Sequence, residues 1–200
     1  MMKKIFTLFT ILLLSTVAQA ATFKEGVNYQ VIGAHQTAKP SVTEYFSLYC
    51  PHCYNFEPII EEVKKGLPEG TDFEKIHVSF MGGSMGVSMA KAYATMKVLN
   101  VEDELIPAMF YQIHQLKKAP RNVQELHDFF VKNGVDGTEF DAAFNSFIVS
   151  SMQSRFDKSF KNAGLRSVPS VVINGVYLIT AGSVKSTAEY LALVKYLLAK

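Results

Sequence analysis

The chain has 200 residues, 48% of them hydrophobic, with 20 basic and 18 acidic side chains, a formal net charge of +2 and only two cysteines. That is enough apolar material for one substantial core, or for a core with an inserted lobe, and it excludes a disordered or low-complexity chain. It also excludes nucleic-acid binding through an extended basic surface, and the short pairs Lys64-Lys65 and Lys117-Lys118 read as solvated faces.

Residues 1–20 stand apart. Lys3 and Lys4 precede the apolar run Ile5 to Leu14, and Ala18-Gln19-Ala20 forms a small-x-small site. This is the pattern of a secretory signal peptide cleaved after Ala20, and its apolar run is shorter than the ~20 residues of a spanning helix. The segment holds two basic residues and no acidic ones, so the remaining chain is formally neutral. An exported chain sits where disulfides form and persist. Its two cysteines lie together in Cys50-Pro51-His52-Cys53. A bridge closing so short a loop removes little chain entropy, so reactivity explains the pair better than stability does.

In chain order, Phe23 to Ile32 reads as an edge strand and Ala34 to Pro40 as a polar connection. Val42 to Tyr49 is apolar or aromatic on both faces, the pattern of a strand covered on both sides. Glu44 is the exception, on the face of Val42, Phe46 and Leu48. Cys53, Phe56, Ile60, Val63 and Leu67 then form a helical stripe, kinked at Pro58 and closed by Leu67-Pro68-Glu69-Gly70. Phe73 to Phe80 reads as a second internal strand.

From Gly82 to Val149 the pattern is helix after helix. Met85, Met89, Tyr93 and Met96 make one stripe, and Leu105, Met109, Ile113 and Leu116 another; such stripes are core, not cofactor boxes. Asn122-x-x-Glu125 and Thr138-x-x-Asp141 read as helix starts, with Asn133-Gly134 a stop between them. Gly82, Gly83 and Gly86 form the hinge into this block. The last helix continues through Met152, Phe156 and Phe160 to Ala163-Gly164. Strands return at Ser170 to Ile173 and Val176 to Thr180 around the hairpin signal Asn174-Gly175. Ser186-x-x-Glu189 opens a final helix with the stripe Tyr190, Leu191, Val194, Leu197 and Leu198. The fold class expected is α/β: a thioredoxin-like domain over 21–81 and 150–200, with an inserted all-helical domain over 82–149.

A C-x-x-C that ends a strand and opens a helix is a thioredoxin-type redox motif. With Cys50 as N-cap, its sulfur accepts from the unpartnered N–H groups of His52 and Cys53, and Pro51 falls where a missing N–H loses nothing. Cys53, one turn in, is the resolving sulfur behind an exposed, attackable Cys50. The helix terminus favours a thiolate at its N-cap, and a protonated His52 adds to that. A stabilised thiolate is a good leaving group, and ~1.4 kcal/mol of stabilisation of the reduced form corresponds to roughly 30 mV of oxidising strength. His35, His77, His114 and His127 are scattered, so no metal site is expected, and Tyr54 after Cys53 excludes haem attachment. No cofactor is expected.

These features resemble a family. The leader, Phe46-Ser47-Leu48-Tyr49-Cys50-Pro51-His52-Cys53-Tyr54, Leu67-Pro68-Glu69-Gly70, Phe80-Met81-Gly82-Gly83, Asp141-Ala142-Ala143 and Val168-Pro169 together resemble the DsbA family of periplasmic thiol:disulfide oxidoreductases. The resemblance implies an oxidase that passes its disulfide to reduced, unfolded exported proteins in the periplasm. It implies a monomer, reoxidised by a membrane partner resembling DsbB. It places a cis-Pro169 opposite Cys50, with the Val168 backbone free to pair with an extended substrate. By the residues alone, Glu44 is either an ion-paired glutamate near a sheet end or a carboxylate beneath Cys53 that exchanges its proton. The resemblance favours the second, with Lys75 as its buried partner. Glu57, one turn after Cys53, reads equally as part of that pattern or as a solvated helix-face residue. Tyr49 and Pro58 depart from some family members beside the motif. A thioredoxin-like reductase, a disulfide isomerase and a peptide-holding chaperone are the competing readings.

Overall fold

The computed structural model describes residues 23–33 and 35–200. The leader assigned to residues 1–20 lies outside the described residues. Five strands form one mixed sheet: β1 (Tyr29–Val31), β2 (Ser41–Phe46), β3 (Asp72–His77), β4 (Ser170–Ile173) and β5 (Tyr177–Ile179), in the spatial order β1-β5-β4-β2-β3. β2 and β3 run parallel, joined through the helix α1 (Pro51–Gly66), and every other pairing is antiparallel. The apolar β2 is thus flanked on both edges, which is why its one charged side chain, Glu44, is buried and stands beside a partner, Lys75.

Between β3 and β4 lie α2 (Gly86–Leu99), α3 (Glu102–Phe110), a π-helical turn (Tyr111–Gln115), α4 (Val123–Lys132), α5 (Gly137–Phe144) and α6 (Phe147–Asn162); α7 (Thr187–Leu198) ends the chain. This is a thioredoxin fold with a helical insertion. Capping explains where the helices start: Asn122 Oδ1 accepts from Glu125 N, Ser146 Oγ from Val149 N and Ser186 Oγ from Glu189 N.

Packing is divided between two apolar clusters. α1 and α7 cover the sheet through Ile60, Val63, Leu193, Val194 and Leu197 against Val42, Val171 and Ile173. The larger cluster begins at Phe46, Leu48, Cys50 and Cys53 and continues without a break through Met89, Tyr93 and Phe110 into the insertion. Cys50-Pro51-His52-Cys53 is therefore built on a core that the insertion shares.

Five expectations are corrected. The first strand is only Tyr29–Val31, because Lys24 O accepts from Asn28 N and Gly26 takes a left-handed φ of 78°, making a turn of what precedes it. β2 ends at Phe46, and Ser47 to Cys50 is a turn closed by Cys50 N donating to Ser47 O at 3.0 Å. β3 ends at His77, so Phe80 is exposed beyond it. α5 is capped by Asp136, which accepts from Thr138 N and Glu139 N, two residues before the expected start. Leu116 is 45% exposed, because the wider π-helical turn breaks the three-and-four spacing after Ile113.

Gly86 opens α2 where the chain leaves β3, and a Cβ there would collide with the backbone carbonyl of Ser79. Backbone cannot swing aside as a flexible side chain does. Gly86→Ala is expected to destabilise by at least about 2 kcal/mol in urea unfolding, the scale of a forced overpacking. Gly33→Ala, with open space around it, should leave the midpoint within about 0.5 kcal/mol.

Candidate active site

Strand must become helix within four residues here. β2 delivers the chain buried, the Ser47–Cys50 turn reverses it, and α1 begins at Pro51, whose missing N–H falls where no intrahelical partner exists. Cys50 is the N-cap: its Sγ accepts from Cys53 N at 3.2 Å. The Val168-Pro169 bond is cis, and Cys50 Sγ donates to Val168 O at 3.6 Å. Cys50, Cys53, Val168 and Pro169 are thus brought together. Both cysteines are present as thiols.

Cys50 is not the exposed sulfur the sequence suggests; it is 2% exposed. Its sulfur folds back over the helix N-terminus and against the Val168 carbonyl, so its surface is spent on protein, while Pro51 and His52 beside it face solvent. Among the described residues no hydrogen bond ties His52 to either sulfur, and the Cys53 N–H, not that of His52, reaches the Cys50 sulfur, while Tyr54 N donates to the Cys50 carbonyl at 3.1 Å. Cys53 is fully buried. Burial pushes its thiol far up, with the hydrogen bond to Cys50 and the nearby charges of Cys50 and Glu44 adding, and a backbone contact from Ser47 opposing.

Below the motif Glu44, Lys75 and Glu57 converge. Register pairs Glu44 with Lys75 across β2 and β3, and α1 lowers Glu57 onto the same ammonium. Lys75 Nζ lies 2.6 Å from Glu57 Oε1 and 2.9 Å from Glu44 Oε2, and 4.7 Å from the centre of the Phe46 ring. Neither Glu44 oxygen has a well-aligned hydrogen bond, so its contact with Lys75 is mainly coulombic. Burial pushes Glu44 up to about 7, against the pull of Lys75. Burial also raises Glu57. It works against the Lys75 ammonium too, but the two carboxylates overcome it and hold Lys75 above its ordinary range. Glu57 is 19% exposed by its side chain and, with Lys75, lines a cleft of about 820 Å³ between α1 and α3. The solvated-face reading of Glu57 is therefore replaced by an ion pair reaching from solvent to the buried Glu44.

Two residues were missed in the sequence. His77 Nε2 accepts from Leu48 N at 3.0 Å, and His114 Nε2 donates to Leu48 O at 2.8 Å. The His77 ring lies against Phe46 and Tyr93, its Nδ1 has no partner, and burial pushes it down to about 3. His77 was readable in part, since it shares a face of β3 with Lys75 at a period of two. Nothing in the sequence brings His114 to Leu48. Among the described residues no cluster of three or more His, Cys, Asp or Glu fits a metal ion.

Residues 41–192 match the model of the DSBA-like thioredoxin domain. The chain belongs to the DsbA family. It is 36% identical over 205 residues to the thiol:disulfide interchange protein DsbA of Escherichia coli strain K12, covering 98% of each chain. It is 36% identical to the DsbA of Pectobacterium carotovorum, over the whole of both. Among solved structures, Proteus mirabilis DsbA carrying a cysteine-to-serine change and a non-covalently bound peptide PWATCDS superposes with a TM-score of 0.84 at 32% identity, covering 90% of this chain and 100% of that one. Among the described residues no helix is long and apolar enough to cross a membrane.

Because the DsbA-like site buries His77 neutral, its contribution to stability is full above its ordinary value of 6.5 and is lost as pH falls towards 3. Glu44 runs the other way, its contribution being lost as pH rises from 4.5 through about 7. His77→Gln, which keeps an acceptor for Leu48 N, should gain roughly 2–3 kcal/mol relative to the parent between pH 7 and pH 4.5. Urea midpoints at the two pH values measure it.

Proposed function

We propose that this DsbA-family oxidoreductase introduces disulfides into reduced, unfolded exported proteins in the periplasm through a mixed disulfide at Cys50. The observation that supports this most is the placement of Cys50 Sγ at the start of α1, touching both the Cys53 N–H and the Val168 carbonyl beside Pro169. A substrate thiolate attacks Cys50 Sγ, the Cys50–Cys53 bond breaks, and Cys53 leaves and takes up a proton. A second substrate thiolate attacks the substrate's own sulfur in the mixed disulfide and expels Cys50. Two substrate thiols become one disulfide, and the protein's disulfide becomes the dithiol.

Each neighbour has a part. The extended substrate pairs with the Val168 backbone, whose carbonyl is released once Cys50 has no proton to donate in the disulfide form, and Pro169 holds that edge free of a competing N–H. Glu44, poised near neutral pH, supplies the proton to Cys53, a thiol whose burial makes a lasting thiolate unfavourable. Lys75 and Glu57 keep Glu44 at that poise and link it to solvent through the cleft. Pro51 sets the helix start, and His52, exposed beside Cys50, tunes the charge the sulfur faces. Residues 82–149 act as the inserted domain and 21–81 with 150–200 as the thioredoxin-like domain. The protein works as a monomer without cofactor or nucleic acid, and a membrane partner resembling DsbB restores its disulfide.

Stopped-flow oxidation of a dithiol peptide tests the assignment. Cys50→Ser should abolish turnover, whereas a peptide-holding chaperone would survive it; Cys53→Ser should trap the mixed disulfide. Glu44→Gln should slow transfer at pH 7 by about tenfold or more, the lower range for a lost proton donor. Equilibration with glutathione gives the direction: a potential in the range of reducing thioredoxins, about −270 mV, would sink the oxidase reading.

A further inference from the structure

We infer that the helical insertion acts on the redox pair through His114, a positioning residue that holds the Cys50 turn and stabilises the dithiol form more than the disulfide form. Leu48 lies in the middle of the Ser47–Cys50 turn, past the end of β2, where sheet pairing no longer uses its backbone. Its side chain is fully buried, so its N–H and C=O need partners inside the protein. One comes from each part of the molecule: His77 of β3 accepts the N–H, and His114 of the insertion donates to the carbonyl. A carbonyl only accepts, so the His114 proton is on Nε2.

The insertion reinforces this grip. The His114 ring stacks on Tyr54, the residue after Cys53, at 5.2 Å and 11° between planes, and Gln115 Nε2 donates to Tyr54 Oη at 3.0 Å. Tyr49 Oη donates to Pro120 O at 3.2 Å. These contacts meet the turn and the first turn of α1 on either side of the cysteines. All come from residues 111–120, the stretch opened by the π-helical turn, a local distortion of the kind that recurs at functional sites.

The state dependence follows from what else holds the turn. In the disulfide form a covalent bond between Cys50 and Cys53 ties the turn to α1. In the dithiol form only the Cys53 N–H bond at 3.2 Å and the Val168 contact at 3.6 Å hold the Cys50 sulfur in place. Loosening Leu48 therefore costs the dithiol more, and weakens the protein as an oxidant. The inference rests on the reading of Cys50 and Cys53 as the exchanging pair.

The test is glutathione equilibration of the parent, His114→Leu and His114→Gln, together with urea unfolding of each in both redox forms. His114→Leu should shift the equilibrium threefold or more towards the disulfide and destabilise the dithiol form by correspondingly more than the disulfide form. His114→Gln, which retains an N–H donor at a similar reach, should restore most of the shift. Should His114→Leu fail to fold, Tyr49→Phe, which removes the bond to Pro120, should move the equilibrium in the same direction. An unchanged equilibrium, equal loss of stability in the two forms, or a glutamine variant no better than leucine would overturn the inference. A parent that does not equilibrate with glutathione at all would instead overturn the reading of the cysteine pair.

Discussion

Everything at this site depends on turning a buried strand into a helix within four residues. Central strands bury their backbone by pairing on both sides, and helices by pairing along themselves, but the residues between do neither. Here the Ser47–Cys50 turn closes on Ser47 alone, through Cys50 N to Ser47 O and Tyr49 N to Ser47 Oγ, and leaves Leu48 to be satisfied by two histidines. The same junction leaves the first N–H groups of α1 unpartnered, and Cys53 N–H turns to Cys50 Sγ. The sulfur proposed to exchange with substrate is thus also the helix cap, and whatever fixes the turn fixes the sulfur.

The second constraint is electrostatic. Burying Glu44 with Lys75 is not a means of gaining stability over apolar side chains, because desolvating two charges generally costs roughly what their attraction returns. What the arrangement provides is a carboxyl that changes protonation near neutrality beside a thiol that burial keeps protonated. Glu57 matters because it is partly solvated: it extends the ion pair to the cleft, so that the buried charge is not isolated.

Much of this was legible in the sequence. Strong periodicity marked α1, α2 and α7, and the Asn174-Gly175 turn marked the β4–β5 hairpin, where Asn174 and Gly175 both take left-handed φ. Cap residues marked the starts of α4 and α7. What misled were apolar runs that outlast their strands: Val42 to Tyr49 and Phe73 to Phe80 both continue past the last paired residue, because Leu48 and Val78 just beyond the strands are still buried, while Phe80 is an apolar side chain left exposed. The stripe ending at Leu116 failed for a different reason, a change of helical period that hydrophobicity alone does not encode.

The sequence by itself determined the chemistry on offer: two cysteines one helical turn apart, a proline at the first helical position, and an acid on the buried face of the strand leading to them. These are local, set by spacing and by the backbone rules of a helix start. Tertiary structure decided the rest, because it depends on segments far apart in the chain. Val168 and Pro169 meet Cys50 across the sheet, Lys75 meets Glu44 by strand register and Glu57 by the return of α1, and His114 reaches Leu48 only because the insertion packs onto the same core. Even the exposure of Cys50 was decided there. A sulfur that caps a helix and touches a neighbouring carbonyl is covered by the contacts that orient it.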